Sequence, residues 1–227
     1  MFRPYSIEEG KFLVRLARRA VEEYLRSGKA IQPPPDTPSR LLKDKYGVFT
    51  TIEVFMGKDR RGGELRGGCI GFPQAVYNTV NGVIRSAIAA AVEDPRFEPM
   101  SIEELGKVTF EVSILSPLEL LEPGNPRSYP EKIVVGRHGI VIQKGYYSGL
   151  LLPPQVPPVE YCWDSLTFLD EGCMKAFLPP DCWLDEDTSV LIYEAQIFKE
   201  VEPNGEVVER DLMEELKGCK NANKNEG

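Results

Sequence analysis

The run Leu65-Arg66-Gly67-Gly68-Cys69-Ile70-Gly71-Phe72-Pro73 concentrates the chemistry of this chain. Three glycines interrupt a segment that otherwise reads as a strand. Glycine weakens a sheet unless a bulge or a close backbone approach requires it. A helical pattern follows directly, and a helix N-terminus presents free amides and a positive dipole end. Arg66 would add a planar, permanently charged fork for a carboxylate or phosphate. Cys69 would be a nucleophile if those surroundings ionised its thiol. The plainer reading is a bulged hairpin strand with a buried cysteine and an arginine paired to a carboxylate. The run matches neither the Walker loop nor the Rossmann fingerprint.

His138 is the single histidine. With Cys69 it would make a minimal thiol–imidazole pair; alone it reads as a satisfied surface or turn histidine. Lys175 would act as an amine base or Schiff-base donor if buried, and as a solvated helix cation otherwise. Gln155, set among prolines, would hold a ligand amide or cap a turn. Glu64 and Glu111 are strand-borne carboxylates that nothing in the spacing places near Cys69. One histidine excludes sites built from two or three imidazoles. Cys69, Cys162, Cys173, Cys182 and Cys219 contain no CxxC pair, so no zinc knuckle is expected, and neither a metal nor a cofactor. Two of Cys162, Cys173 and Cys182 could pair in a disulfide were the source a hyperthermophile; buried free thiols are the expectation.

The elements that must position these residues follow from periodicity. Residues 6–27 form an amphipathic helix, with Ser6 and Glu9 as a capping box and Gly28 as its stop. Residues 32–38 are an extended proline-rich connector. Residues 46–56 and 64–71 read as two strands of a hairpin turning over 57–63. A second helix spans 74–93, with Pro73 at its first turn. Ser101 and Glu104 suggest another capped short helix. Val108, Phe110, Val112 and Ile114 alternate as a half-buried strand. Short strands are expected at 133–135, 139–143 and 147–152, a helix at 159–176 and a strand at 189–198. Residues 153–158 read as a rigid connector. A division into two lobes is expected in the proline-rich loop 122–130, and residues 218–227 read as a frayed tail beyond a domain of 1–217. Hairpins mixed with helices, without strict strand–helix alternation, predict an α+β fold with a mostly antiparallel sheet.

The bulk composition narrows the partners. Of 227 residues, 27 are Lys or Arg and 35 are Asp or Glu, a net charge of −8. An acidic chain binds nucleic acid only through a local basic patch, and no cluster is dense enough to predict one; Arg15, Arg18 and Arg19 read as a solvated helix face. No apolar stretch approaches the ~20 residues that cross a bilayer, and the first residues lack the apolar region of a secretory signal, so a soluble cytoplasmic chain is expected.

The glycine run closely resembles the LRGCIG signature of the AMMECR family. Further matching stretches are Asp94-Pro95-Arg96-Phe97, Val112-Ser113-Ile114-Leu115-Ser116, Arg137-His138-Gly139-Ile140 and Gly149-Leu150-Leu151-Leu152-Pro153-Pro154-Gln155-Val156. Cys173-Met174-Lys175-Ala176 follows, after Trp163 and Phe168-Leu169. The resemblance covers nearly the whole chain and implies an α+β fold with a site around the signature; no reaction comes with it. This chain departs from the pattern in carrying Gly67-Gly68 where the family has one glycine. The extra residue would turn Cys69 to the opposite face, unless a bulge absorbs it. Phe177 stands where a glycine is usual, and Pro153-Pro154 where a single proline is usual.

Three functions follow. The leading one is a binding or scaffold module, with Leu65, Arg66, Gly67, Gly68, Ile70 and Gly71 holding a small anion or a protein partner, and Gln155 assisting. The second is a cysteine-dependent enzyme using Cys69 with His138, and Lys175 as a further catalytic candidate. The third is a nucleic-acid-associated factor, which the charge disfavours. Self-association is left open.

Overall fold

The computed structural model describes residues 1–57, 65–122, 124–153 and 162–217, with 65–67 described by backbone alone. Two compact units divide the chain. The first comprises Arg3–Pro117 and Gln196–Arg210; the second comprises Met1–Phe2, Leu118–Ala195 and the residues from Asp211 onward.

The first unit opens with α1 (Ile7–Ser27). Ser6 Oγ accepts the Glu9 amide at 3.3 Å, and Glu9 Oε2 accepts the Ser6 amide at 2.8 Å, so two otherwise orphaned N–H groups are satisfied reciprocally. Leu13, Leu16, Ala17 and Ala20 form its buried stripe. A short helix, α2 (Ser39–Lys43), leads to β1 (Gly47–Val54) and β2 (Leu65–Phe72). The helix α3 (Thr79–Val92) begins later than Pro73 suggests, because the Asn78 side chain accepts the Asn81 amide at 2.9 Å and sets the first turn there. A 3-10 turn (Ile102–Lys107) precedes β3 (Val108–Leu115).

β2, β1 and β3 run antiparallel in that order, followed by the 196–200 end of β7 (Ser189–Glu200) and by β8 (Val207–Glu209). One face of β1 and β3 carries Val48, Ile52, Phe110, Val112 and Ile114, all buried, with α1 and α3 packed against these strands. Thr50 Oγ1 and Ser86 Oγ share a hydrogen bond of 2.7 Å that ties β1 to α3. Arg18 of α1 is buried. Its Nε donates to Glu200 Oε1 at 2.7 Å, Nη1 to the Leu105 carbonyl at 2.7 Å and Nη2 to the Val108 carbonyl at 2.7 Å. Arg18 therefore stands in the core, and the reading of it as part of a solvated face is corrected. Four apolar positions on one stripe do not reveal a cation that spans the helix to reach a distant strand.

The second unit contains β4 (Glu119–Leu120), α4 (Tyr129–Lys132), β5 (His138–Lys144), β6 (Tyr147–Leu151), α5 (Ser165–Lys175) and α6 (Leu212–Glu215). β4 and β5 flank the first part of β7, and β6 pairs with β5. Ile140, Ile142, Leu151, Phe168, Leu169 and Trp183 anchor its core. The expected strand at 133–135 is a turn instead: Arg137 and His138 both donate their amides to the Val134 carbonyl, at 3.0 and 2.9 Å. α5 starts at Ser165, where Asp164 Oδ1 accepts the Thr167 amide at 2.8 Å. Cys173 and Cys182 form a disulfide, with Cα atoms 5.8 Å apart. The expectation of buried free thiols is thus overturned there: α5 ends at Lys175, and the turn after it brings the second cysteine back. The connector and tail expectations at 57–63, 153–158 and 218–227, and the first residues of the expected 159–176 helix, lie wholly or largely outside the described residues.

Candidate functional site

The antiparallel register places Cys69 opposite Thr51, and Thr51 opposite Glu111, in one cross-strand row. The next pairs are Ile52 with Gly68 and then Glu53 with Leu65, so Arg66 and Gly67 have no opposite residue. Two unpaired residues are an even insertion, so the alternation along the strand is kept across the bulge. The doubled glycine is accommodated in this bulge without turning Cys69 away from Thr51.

That face is opposite to the one packed by the helices. It carries Thr51, Glu53, Thr109, Glu111 and Ser113, all buried. Thr51 Oγ1 donates to Cys69 Sγ at 3.2 Å. Arg210 Nη1 donates to Glu111 Oε2 at 2.7 Å, and Lys199 Nζ makes a close ion pair with Glu53 Oε2. Buried charges persist only when paired in this way. Burial, and then the neighbouring Glu111, make Glu53 hold its proton more tightly than an ordinary glutamate, against the pull of Lys199. Ser113 Oγ has no hydrogen-bond partner among the described residues. Cys69 is a free thiol, partly exposed as a residue. Its sulfur nonetheless lies deep enough that burial pushes the thiol up to about 12, outweighing the Thr51 hydrogen bond.

Gly68 links this strand to a second element. Its φ is +78°, in the left-handed region, and a Cβ placed there would lie 1.9 Å from Asp94 Oδ2. The absent side chain is what lets the Asp94 carboxylate sit against the strand. Asp94 in turn orients Arg96: Nε donates to Oδ1 at 2.9 Å, Nη2 to Oδ2 at 2.6 Å, and the Arg96 amide to Oδ1 at 3.1 Å. The bidentate grip fixes the guanidinium plane, while its side chain stays 49% exposed. Arg96 is close enough to Cys69 to pull its thiol pKa down against the burial. A fixed, half-exposed guanidinium beside a protonated thiol and buried hydroxyls can receive an anion.

The other candidates fall as follows. Ile70 pairs with Thr50 and Gly71 with Phe49, continuing the signature strand. Arg66 is placed by its backbone only, and Gln155 and Glu64 lie outside the described residues. His138 opens β5 in the second unit, buried, with Nδ1 accepting the Val134 amide at 3.2 Å. Burial, then Arg137, hold its pKa below the ordinary imidazole value. Lys175 is the exposed last residue of α5, also in the second unit. An apolar cavity of about 480 Å³ in that unit, lined by Ile133, Val135, Trp163, Met213 and Leu216 among others, contains none of the signature residues. Among the described residues no cluster of His, Cys, Asp and Glu is arranged to hold a metal, and no helix is long and apolar enough to cross a membrane.

Asp94 and Arg96 stand out in the sequence only as part of a family-like stretch, and Thr51, Glu53, Lys199 and Arg210 not at all. The available signal was the alternation Thr51/Glu53 and Thr109/Glu111/Ser113, which periodicity alone assigns to a wetter face.

The chain is a member of the AMMECR1 family, whose model matches residues 14–198. Among relatives, a protein of Caldivirga maquilingensis is 60% identical over 219 residues, covering 96% of this chain and 98% of its own. Protein PH0010 of Pyrococcus horikoshii is 53% identical over 206 residues, covering 91% and 97%. The crystal structure of that uncharacterised protein superposes with a TM-score of 0.84, covering 90% of this chain and 97% of the other. The α+β fold expected from the sequence is the fold of this chain and of that crystal structure.

Proposed function

We propose that this protein is a binding module, and that its site lies on the signature strand β2, where Arg96 receives an anionic group of the ligand. The observation that carries the reading is the contact of Gly68 with Asp94, which sets a bidentate-held, half-exposed guanidinium next to Cys69. Ser113, a buried hydroxyl without a described partner on the same face, adds a donor or acceptor that a polar ligand would satisfy. The elevated Cys69 pKa favours capture over nucleophilic attack, since the thiolate is the reactive form. We propose Arg66, two residues before Gly68 in the chain, as a second cation for the same anion.

The test is a thermal-shift titration of the whole chain with inorganic phosphate, sulfate and citrate. A ligand of the folded state raises Tm as its concentration passes Kd. At least one anion should raise Tm in the unaltered protein and in Cys69→Ser. The rise should vanish in Arg96→Ala and shrink in Arg66→Ala. A rise that survives Arg96→Ala, or no rise with any of the three, ends this reading.

A further inference from the structure

Beyond the anion site of the first unit, the second unit holds a further disulfide. Cys162 is one half of it. Cys173 and Cys182 are bonded to each other, and Cys69 is a free thiol. Five cysteines stand in the sequence, and the one these assignments leave is Cys219, just beyond the described residues.

Reach agrees with the count. Cys162 and Lys217 line the same apolar cavity of about 480 Å³, together with Trp163, Met213 and Leu216. A space of that volume is ~8 Å across if equant, whereas two residues of extended chain and a disulfide span up to ~13 Å, from about 3.5 Å per residue and about 6 Å between bonded Cα atoms. Cys219 follows Lys217 by two residues and is therefore within reach of Cys162. The helix α6 between them needs such an anchor, because its four residues are far fewer than the ~12 below which an isolated helix is marginal in water. Otherwise it is held by the burial of Leu212 and by Gly136, where a Cβ would come within 2.3 Å of Leu216 Cδ1.

Exposure separates the two disulfides. Cys173 and Cys182 are 0% and 2% exposed. Cys162 is only half-buried, and its φ of +55° lies in the left-handed region that a β-carbon disfavours. An accessible disulfide on a strained backbone is the labile one of a pair. We infer that Cys162 and Cys219 form a redox-sensitive latch that pins α6 to the turn ahead of α5, and that a small dithiol opens it while the Cys173–Cys182 bond stays closed. Closing is an exchange with a small disulfide. The Cys162 thiolate attacks it, forming a mixed disulfide and releasing one thiolate; the Cys219 thiolate then attacks Cys162 Sγ and releases the second. The two cysteines lose two electrons and two protons, and the small disulfide takes them up as two thiols. Opening by dithiothreitol returns two electrons and two protons to the cystine and leaves the reductant as a cyclic disulfide.

The test begins with the full chain, unfolded without reductant, alkylated with iodoacetamide, digested and mapped by mass. Only Cys69 should be alkylated, and one cross-linked pair of peptides should contain Cys162 and Cys219. Folded protein is then treated with graded dithiothreitol and alkylated. Cys162 and Cys219 should be labelled at concentrations roughly tenfold lower than Cys173 and Cys182, and amide exchange should quicken in Leu212–Lys217 at that first step. Cys219→Ser should lower Tm by about 5–10 °C; Cys162→Ser should lower it equally, and the double variant no further. The inference is overturned by alkylation of Cys162 or Cys219 in the unreduced chain, by a Cys219 cross-link between two chains, by labelling of all four cysteines together, by unchanged exchange in Leu212–Lys217 once the latch is labelled, or by additive losses of Tm in the double variant.

Discussion

Gly68→Ala tests the clasp at its tightest point. Two costs combine. A non-glycine residue in the left-handed region costs roughly 1–2 kcal/mol. The new methyl would also stand 1.9 Å from Asp94 Oδ2 and 2.6 Å from Asp94 Cγ, which no rotation of the methyl relieves, so the carboxylate must leave its place. A charge-assisted hydrogen bond contributes about 1.5–3 kcal/mol when sheltered; with Arg96 half-exposed, about 1–2 kcal/mol is the reasonable share. The total is about 2–4 kcal/mol. Gly28→Ala is the control in the same unit: φ is +70° and nothing lies within 4 Å of the added Cβ, so it carries the backbone cost alone. Urea denaturation of both variants should show Gly68→Ala less stable by about 1–2 kcal/mol. In an Arg96→Ala background the excess should shrink, because the partner that Asp94 would lose is already gone. Equal losses for the two glycine variants, or full additivity with Arg96→Ala, would refute the clasp.

Three further outcomes are expected. Iodoacetamide should modify Cys69 roughly a thousandfold more slowly than a free thiol at neutral pH, with the rate still climbing at about pH 10; a plateau near pH 8 or 9 would contradict the raised pKa. Glu200→Gln leaves the Arg18 guanidinium buried without its counter-charge and should cost about 3–5 kcal/mol by urea denaturation; a loss within error of zero would mean that water reaches the pair. His138 is held below its ordinary pKa by burial and then by Arg137. Below about pH 6.5 the unfolded chain therefore binds a proton that the folded imidazole refuses, and stability falls as pH drops through that range. His138→Gln should flatten part of that decline, and identical slopes for the two proteins would remove the assignment.

The parts of the fold legible in the sequence are those set by local chemistry. The Ser6–Glu9 box and the apolar stripe of α1, and the alternation of Val108 to Ile114, specify their elements without help from distant residues. The first turn of α3 went to Asn78 because a short polar side chain competes for amides that Pro73 merely lacks. Glu111 reads from the sequence as a strand-borne carboxylate, yet its partner Arg210 lies 99 residues away, and Glu53 and Lys199 are separated by 146. No local pattern encodes such pairings. The cysteines of the 173–182 loop are nine apart, a spacing with no motif behind it, and their pairing depends on where the helix stops. Arg96 belongs to a different stretch from the signature, and the Asp94 that holds it sits against β2 only because Gly68 has no side chain.

The discontinuity of the first unit has a consequence for biosynthesis. Arg18 and Glu200 are 182 residues apart, and the strand that carries Glu200 returns only after Leu118–Ala195 has been made. At ~5–20 residues per second, the nascent helix α1 waits on the order of ten seconds or more for its counter-charge. A chain interrupted after Pro117 would hold its helices and three strands with an unneutralised guanidinium among them, so synthesis of Gln196–Arg210, rather than emergence of the N-terminal half, marks the moment the first unit can become native.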